Sequence, residues 1–328
     1  MNPPLLSVSA LEKRYPIRKG MFGRAAGEIL AVDRVSFEVR RGETLALVGE
    51  TGSGKTTAGR LVARLEEPTR GAMEFEGEDW LALEGAALRR RRRDVQMVFQ
   101  DPQTSLNPRM RVGDQIAEPL RVQRLAKGRE LSARVAELLG EVGLSPAAAS
   151  RFPDEFSGGE RQRIAVARAL ATRPKFVVCD EPVSALDVSI AAQVMNLLLD
   201  LRDRHGLSYL FISHGLAAVS RIADRIAVLY LGRIVEEGPA EAVTSRPLHP
   251  YSAALLSAVP EPDPASARTR IVLSGDLPSP ASLPSGCPFH PRCPIARSRC
   301  REEVPPLVPA EPGRPAACFY PGELAARP

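Results

Sequence analysis

The stretch GETGSGKTT at residues 49–57 decides the fold of this 328-residue chain. Gly49, four residues, then Gly54-Lys55-Thr56 is the spacing of a phosphate-binding loop. It follows LALV (45–48), a short apolar run of the kind that forms a buried parallel strand. It precedes AGRLVARL (58–65), apolar at helical spacing. A strand, a Gly-rich turn and a helix N-terminus aim backbone N–H groups and the positive helix end at phosphate. Gly49, Gly52 and Gly54 let the backbone come close to phosphate oxygens, with Glu50, Thr51, Ser53 and Thr57 completing the loop. Lys55 is placed to reach the β- and γ-phosphates and Thr56 to ligate Mg²⁺. A Gly-rich turn that binds nothing is set aside in favour of ATP or GTP binding.

Downstream, FVVCDEP (176–182) reads as a hydrophobic strand ending in Asp180 and Glu181 and stopped by Pro182. Ligands of an open α/β sheet sit beyond the carboxyl ends of its strands, so both carboxylates are expected to face the phosphates. Asp180 would hold Mg²⁺, directly or through water, and Glu181 would orient and deprotonate the attacking water. Between the two motifs lies PDEFSGGERQRIAVARAL (153–170). Ser157 sits where a helix N-cap belongs, and Gly158 and Gly159 are expected to expose N–H groups on the first turn, a second phosphate surface. Taken alone, the segment is equally an ordinary amphipathic helix with a Ser cap.

This stretch resembles the signature of the ABC ATPases, usually LSGGQ, which closes over ATP bound by the opposite subunit. The resemblance implies an α/β P-loop NTPase, an ABC-type nucleotide-binding domain with an antiparallel β subdomain and a helical subdomain. It also implies roles for other residues. Gln100 in MVFQDP (97–102) matches the glutamine that senses Mg²⁺ and the attacking water and contacts the membrane partner. SALD (184–187) matches a loop that crosses the dimer interface, and His214 in FISHG (211–215) matches the switch histidine at the γ-phosphate. Tyr15 in LEKRYPI (11–17) is the candidate adenine-stacking aromatic. Two positions depart from the pattern: Glu160 stands where Gln is usual, and Gly215 where many relatives carry Asp. Arg161 or Arg163 could neutralise Glu160, or it points away. Neither departure touches the expected metal ligand, base or P-loop lysine.

Three stretches resemble the dipeptide/oligopeptide importer subfamily, which also serves nickel, opines and glutathione: 97–120, 179–198 and 228–238. Its C-terminal extension is matched by HPYSAALLSAVPEPDP (249–264) and LSGDLPSP (273–280). The resemblance implies an ATPase subunit on the cytoplasmic face of the inner membrane, held peripherally. Its partners are a paralogous subunit (or a second copy), two permease subunits and an extracytoplasmic solute-binding protein, with no nucleic acid. Two ATPs would lie between P-loop and signature of opposing subunits, closing the dimer and moving the permeases through the Gln100 region. A soluble ABC ATPase of translation or DNA repair, and a non-hydrolytic regulatory module, are the rivals. The chain lacks a second cassette or a long coiled-coil insertion, and its Glu181 and His214 are intact.

Composition agrees. With 44% hydrophobic residues the chain can bury a full core, no run approaches 18 apolar residues, and MNPPLLSVS at the start is not a signal segment. The net charge of +5 is mostly arginine, densest at Arg89–Arg93. Without interleaved aromatics that run reads as a solvated helix end ahead of the MVFQ strand rather than a nucleic-acid patch. The expected organisation is an ATPase domain over 1–245, with its helical part at about 101–170, then a Pro-rich extension over 246–328 joined through SRPLHPY (245–251). The extension holds Cys287, Cys293, Cys300 and Cys318, while Cys179 reads as a small core residue of the 176–180 strand. The spacing of the four lacks C-x₂-C pairs. A [4Fe–4S] cluster, as associated with similar quartets in the subfamily, zinc with His290 as a further ligand, and free thiols all stay open.

Overall fold

A computed structural model describes residues 3–19, 24–258, 271–279 and 281–324. Parts of the segments 249–264 and 273–280, and the ends of the chain, lie outside the described residues. The chain forms two compact units. One comprises the chain up to Glu38, Thr44–Trp80 and Ser213 onward; the other comprises Val39–Glu43 and Leu81–Ile212.

In the first unit, an antiparallel sheet is built in the order β2 (Arg24–Val39), β1 (Leu6–Lys19), β4 (Arg70–Phe75), β5 (Glu78–Asp79). The antiparallel β subdomain that the resemblance implies is thus built from the two N-terminal strands and two that follow the P-loop helix, in the short, polar stretch 70–79. Leu6 pairs with Phe75 and Val8 with Met73, so their inward faces share one buried layer. Trp80 closes that layer, fully buried, with its indole N–H on the Val62 carbonyl at 3.0 Å and its ring 5.4 Å from that of Phe75.

The same unit carries β3 (Thr44–Val48), all five residues buried, and the helix Lys55–Val62. β3 runs parallel to β9 (Arg225–Tyr230), as a continuous apolar strand should when both faces are covered. Here β6 denotes Val95–Val98, β7 Phe176–Asp180 and β8 Ser208–Ser213, the strands contributed by the other unit's sequence. β10 (Arg233–Pro239) turns back antiparallel to β9 through Leu231 and Gly232. β12 (Arg314–Ala316) adds to β10, and β11 (Val308–Glu311) adds to β12. The C-terminal segment therefore lengthens the nucleotide-side sheet.

A buried anion fixes that segment. Glu236, fully buried on β10, accepts the N–H groups of Leu248 and His249 at 2.8 Å each and lies 3.3 Å from Arg314 Nη2. The helix Pro250–Ser257 starts there, with His249 Nδ1 accepting the Tyr251 N–H at 3.1 Å as its cap.

The second unit pairs β6 and β8 on either side of β7, all parallel. Its helices Val112–Val122, Gly128–Glu141, Gly158–Leu170 and Val188–His205 bury Ile116, Leu138, Ile164 and Leu198 along their apolar stripes. The helix Gly128–Glu141 gives way at Val142 before left-handed Gly143. The Arg89–Arg93 run ends the exposed helix Gly85–Arg91, with Arg91 on Asp94 at 2.5 Å, as a solvated helix end. Among the described residues no helix is long and apolar enough to cross a membrane.

Candidate active site

Within the first unit, the P-loop leaves β3 at Gly49 and re-enters helix at Lys55. A Cβ on Gly49 would stand 2.2 Å from the Leu229 carbonyl oxygen of β9, and one on Gly54 would stand 2.2 Å from that of Ala31. Gly54 is also left-handed, φ 102°, so only glycine fits this turn without moving backbone. The loop is pinned further by the Gly232 N–H on the Ser53 carbonyl at 2.8 Å. Lys55 Nζ, nearly buried, donates to the carbonyls of Gly49 at 2.7 Å and Glu50 at 2.9 Å. An ammonium folded back under the arc it belongs to can turn to a phosphate by exchanging two neutral acceptors for an anion. The Ser53 hydroxyl is buried without a hydrogen-bond partner. Such an orphaned donor, inside a cradle that a Cβ would fill, fits an anionic ligand.

Tyr15 stands beside this loop. Its hydroxyl meets the Glu66 carboxylate, and Lys13 Nζ lies 5.0 Å from its ring centroid. Burial, then Glu66, push its hydroxyl up to about 12, with Thr57 of the P-loop hydrogen-bonded to it. One face of the ring is thus already occupied by a cation. His214 is exposed just past β8, and Gly215 behind it donates its N–H to Ser213 Oγ at 3.1 Å. A Cβ on Gly215 would meet nothing closer than Ala218 at 3.9 Å, so an aspartate would be sterically accommodated there.

Within the second unit, β7 delivers Asp180, buried at 2% exposure, and Glu181. Glu181 takes φ 45°, a left-handed conformation that a side-chain-bearing residue keeps only when its surroundings enforce it. Its N–H is held by the Ile212 carbonyl at 3.0 Å, and its carbonyl by the Ser184 N–H at 3.3 Å. Gln100 Nε2 donates to Glu181 Oε2 at 3.0 Å. Sequence spacing put these two residues near the same chemistry; their direct bond was not foreseen, since nothing local links positions 100 and 181.

The signature lies in the same unit. Ser157 caps the helix Gly158–Leu170 in a reciprocal box: Ser157 Oγ accepts the Glu160 N–H at 3.3 Å, and Glu160 Oε2 accepts the Ser157 N–H at 2.9 Å. The Ser157 N–H, then its hydroxyl, hold the Glu160 carboxyl below its ordinary range. The acid in place of glutamine therefore turns inward to the cap. Arg161 donates to the Pro153 carbonyl at 2.9 Å and Arg163 to that of Val142 at 2.9 Å, while the charges of Arg151 and Arg163 favour the Glu160 carboxylate to a lesser degree than the cap does. Ser157 and Gly158 are exposed, but Gly159 is buried, and a Cβ there would stand 2.4 Å from Ile190 Cγ2. Gly159 therefore also makes room for the helix Val188–His205.

The four cysteines of the C-terminal segment fall in one neighbourhood. Burial pushes the Cys287 thiol up, Cys293 to about 12 and Cys318 to about 11, and in each case charge on the other cysteines adds to the effect. Yet among the described residues no three His, Cys, Asp or Glu side chains gather closely enough to hold a metal ion. As arranged, the donor set does not fit a cluster. Cys179 is fully buried in β7, as a core residue.

A family model described as ABC transporter matches residues 32–184, and one described as oligopeptide/dipeptide transporter, C-terminal region, matches residues 235–300. The chain is 51% identical to a probable peptide ABC transporter ATP-binding protein of Sinorhizobium fredii, over 99% of this chain and 92% of that one. It is 48% identical to the dipeptide transport ATP-binding protein DppF of Haemophilus influenzae, over 97% of each. It is 49% identical to the oligopeptide transport ATP-binding protein AppF of Bacillus subtilis, over 96% of each. Among solved structures, a dimeric ATP-binding cassette in a post-hydrolysis state with ADP and Pi aligns at TM-score 0.64 and 27% identity, covering 72% of this chain and 98% of that one. The P-loop cradle, the strained acid after β7 and these near full-length relatives agree: the chain belongs to the ABC transporter ATP-binding proteins, ATPases of the branch that carries the oligopeptide/dipeptide C-terminal region.

Proposed function

We propose that this chain powers uptake of di- and oligopeptides across a cytoplasmic membrane, as the ATP-hydrolysing subunit of an importer. The observation that carries the motor half is the P-loop: a cradle that only glycine fits, a lysine turned under it and an orphaned Ser53 hydroxyl inside it. The peptide half is supported by the relatives' names and by the match over 235–300.

Lys55 leaves the Gly49 and Glu50 carbonyls for the β- and γ-phosphates of ATP, and Tyr15 offers its free face to the base. Thr56, Asp180 and Gln100 are the residues that would hold Mg²⁺, which when bound neutralises charge on the phosphate oxygens. Glu181 takes the proton of the attacking water, and its bond to Gln100 sets the direction of that carboxylate. His214 contacts the γ-phosphate. Ser157 and Gly158 present the signature to ATP held by a second subunit, paralogous or identical, and the Gln100 region passes closure to two permease subunits. A solute-binding protein outside the membrane selects the cargo, and the chain works peripherally from the cytoplasmic face. Residues 1–245 act as the ATPase domain and 246–328 as its extension.

A [4Fe–4S] cluster on Cys287, Cys293, Cys300 and Cys318 is a reading of the sequence alone, which the arrangement of the four thiols does not support. Iron and sulfide counted in anaerobically purified protein test it, and their absence would leave zinc or free thiols.

The deciding experiment is uptake of labelled di- and oligopeptides by cells whose only copy is wild type or Glu181→Gln. Loss of uptake in the variant is the expected result. Normal peptide uptake, with ATPase activity abolished in the purified complex, would discard the peptide cargo and redirect the search to nickel and other small solutes.

A further inference from the structure

Glu50, the second residue of the P-loop, is gripped from the C-terminal segment. Its carboxylate takes both arms of Arg292: Nη1 donates to Oε2 at 2.7 Å and Nη2 to Oε1 at 3.1 Å. Its N–H donates to the Tyr251 hydroxyl at 2.7 Å, and its carbonyl accepts from Lys55 Nζ at 2.9 Å. Every polar group of Glu50 is therefore committed, two of them to residues beyond the expected domain boundary at 245. A bidentate guanidinium–carboxylate pair fixes direction as well as distance. The Arg292 side chain is 9% exposed and that of Glu50 29%, so salt and water weaken the pair little.

Arg292 is itself rigidly seated. It ends the short turn His290–Arg292, whose first bond runs from the Arg292 N–H to the Phe289 carbonyl at 3.0 Å. The Phe289 ring is locked against Tyr230 and Tyr251, with centroids 5.2 and 5.5 Å away, and all three are fully buried. Tyr230 follows Leu229, the residue whose carbonyl bounds Gly49. The frame that seats Arg292 is thus the frame on which the P-loop begins. Leu277, also from the C-terminal segment, comes within 3.6 Å of where a Cβ on Gly52 would sit.

We propose that Arg292, supported by Tyr251, is a positioning residue of the nucleotide site: it holds Glu50, and with it the Gly49–Lys55 arc, in the shape that receives the triphosphate of ATP. Arg292 touches no substrate atom and acts through Glu50. A loop already held in its binding shape spends less of its interaction with phosphate on ordering itself. The C-terminal segment is then a working part of the ATP site. The inference rests on the reading of 49–57 as the phosphate cradle for ATP.

The test is the affinity of the full-length chain for Mg–ATP, by titration calorimetry, in the Glu181→Gln background that prevents turnover. Arg292→Ala is expected to weaken binding about tenfold, with Arg292→Lys recovering part of the loss because a point charge cannot make the second bond. Glu50→Gln combined with Arg292→Ala is expected to bind no more weakly than Arg292→Ala alone. With Glu181 intact, KM for ATP rises while kcat stays within about twofold, a split that general loosening of the fold would not produce. Should Arg292→Ala fail to fold, Arg292→Lys and Glu50→Gln carry the comparison. Lys55→Ala keeps the two readings apart. If it binds ATP as the parent does, the cradle reading fails. If it loses ATP while Arg292→Ala keeps parental affinity, or if the losses in the double variant add, the positioning role is overturned.

Discussion

His249 should make the protein sensitive to mild acid, and the size of the effect follows from its burial. The imidazole is 2% exposed, and burial pulls it down from 6.5 to about 3, against a partly opposing hydrogen bond to the Ala317 backbone. Its Nδ1 must stay unprotonated to accept the Tyr251 N–H that starts the helix Pro250–Ser257. The charged groups beside it, Glu236 and Arg314, are already paired with each other. In the unfolded chain the ring takes up a proton below pH 6.5, whereas in the folded chain it does so only near pH 3. Between those values the unfolded state holds more protons, so stability falls as pH falls. The slope is about 1.4 kcal/mol per pH unit, which makes about 2 kcal/mol between pH 6.5 and pH 5. Carboxylates held below their ordinary range, such as Glu160, contribute losses only at lower pH and do not enter that window. The assay is thermal unfolding of wild type and His249→Asn at pH 7 and pH 5. Asparagine keeps a capping acceptor without titrating, so its melting temperature should drop less on acidification, by about 4 °C at roughly 2 °C per kcal/mol for a chain of this size. Equal drops in the two proteins would refute the buried neutral imidazole.

Glu181→Gln should leave Mg–ATP binding intact and lower turnover at least about 100-fold, the contribution of a general base, read by binding and steady-state hydrolysis side by side. Gly159→Val should cost about 1–3 kcal/mol in denaturant unfolding, because the added side chain enters the space of Ile190; Gly158→Ala, exposed and 3.4 Å from Leu186 Cδ2, should cost less than about 1 kcal/mol. Glu236→Gln removes the acceptor charge that holds the Leu248 and His249 N–H groups, while Arg314 keeps Glu311 at 2.7 Å, and should destabilise the unit by about 1–3 kcal/mol; a melting temperature like that of wild type would contradict the anchor assigned to Glu236.

How much of this was legible depends on how far apart in sequence the physics reaches. The P-loop was readable because its determinants are contiguous: an apolar strand, glycines at fixed offsets and a helix start. The same holds for the signature, where capping acts over three residues. The run placed Ser157 and Glu160 at cap spacing, although Glu160 was weighed only as a departure near a triphosphate. Only the structure shows it closing the cap. The packing role of Gly159 was missed for the opposite reason. The residue it accommodates, Ile190, lies about thirty positions away, and no local pattern announces a helix crossing that tight.

The C-terminal segment was the least legible region, and its own chemistry explains why. Proline dominates its composition and four of the chain's five cysteines draw attention to metal binding, while the residue that reaches the P-loop, Arg292, is one arginine among many. What makes Arg292 distinctive is its seat. Phe289 three residues earlier is clamped between Tyr230 of β9 and Tyr251 of the helix Pro250–Ser257. That helix in turn is fixed by Glu236 of β10 through the N–H groups at its start. The links from the sheet to Phe289 span from about a dozen to sixty residues of sequence, the last one, from Arg292 to Glu50, spans 242, and all use side chains that have no motif. A chain of buried contacts therefore runs from β10 to Arg292 and ends on Glu50, two residues after β3. Because the links up to Arg292 are buried and the last is bidentate, a change at any of them is felt at the next. Loss of the Glu236 anchor should therefore weaken ATP binding as well as the fold, whereas Gly159→Val, in the other unit, should lower stability and leave the P-loop's affinity for ATP unchanged.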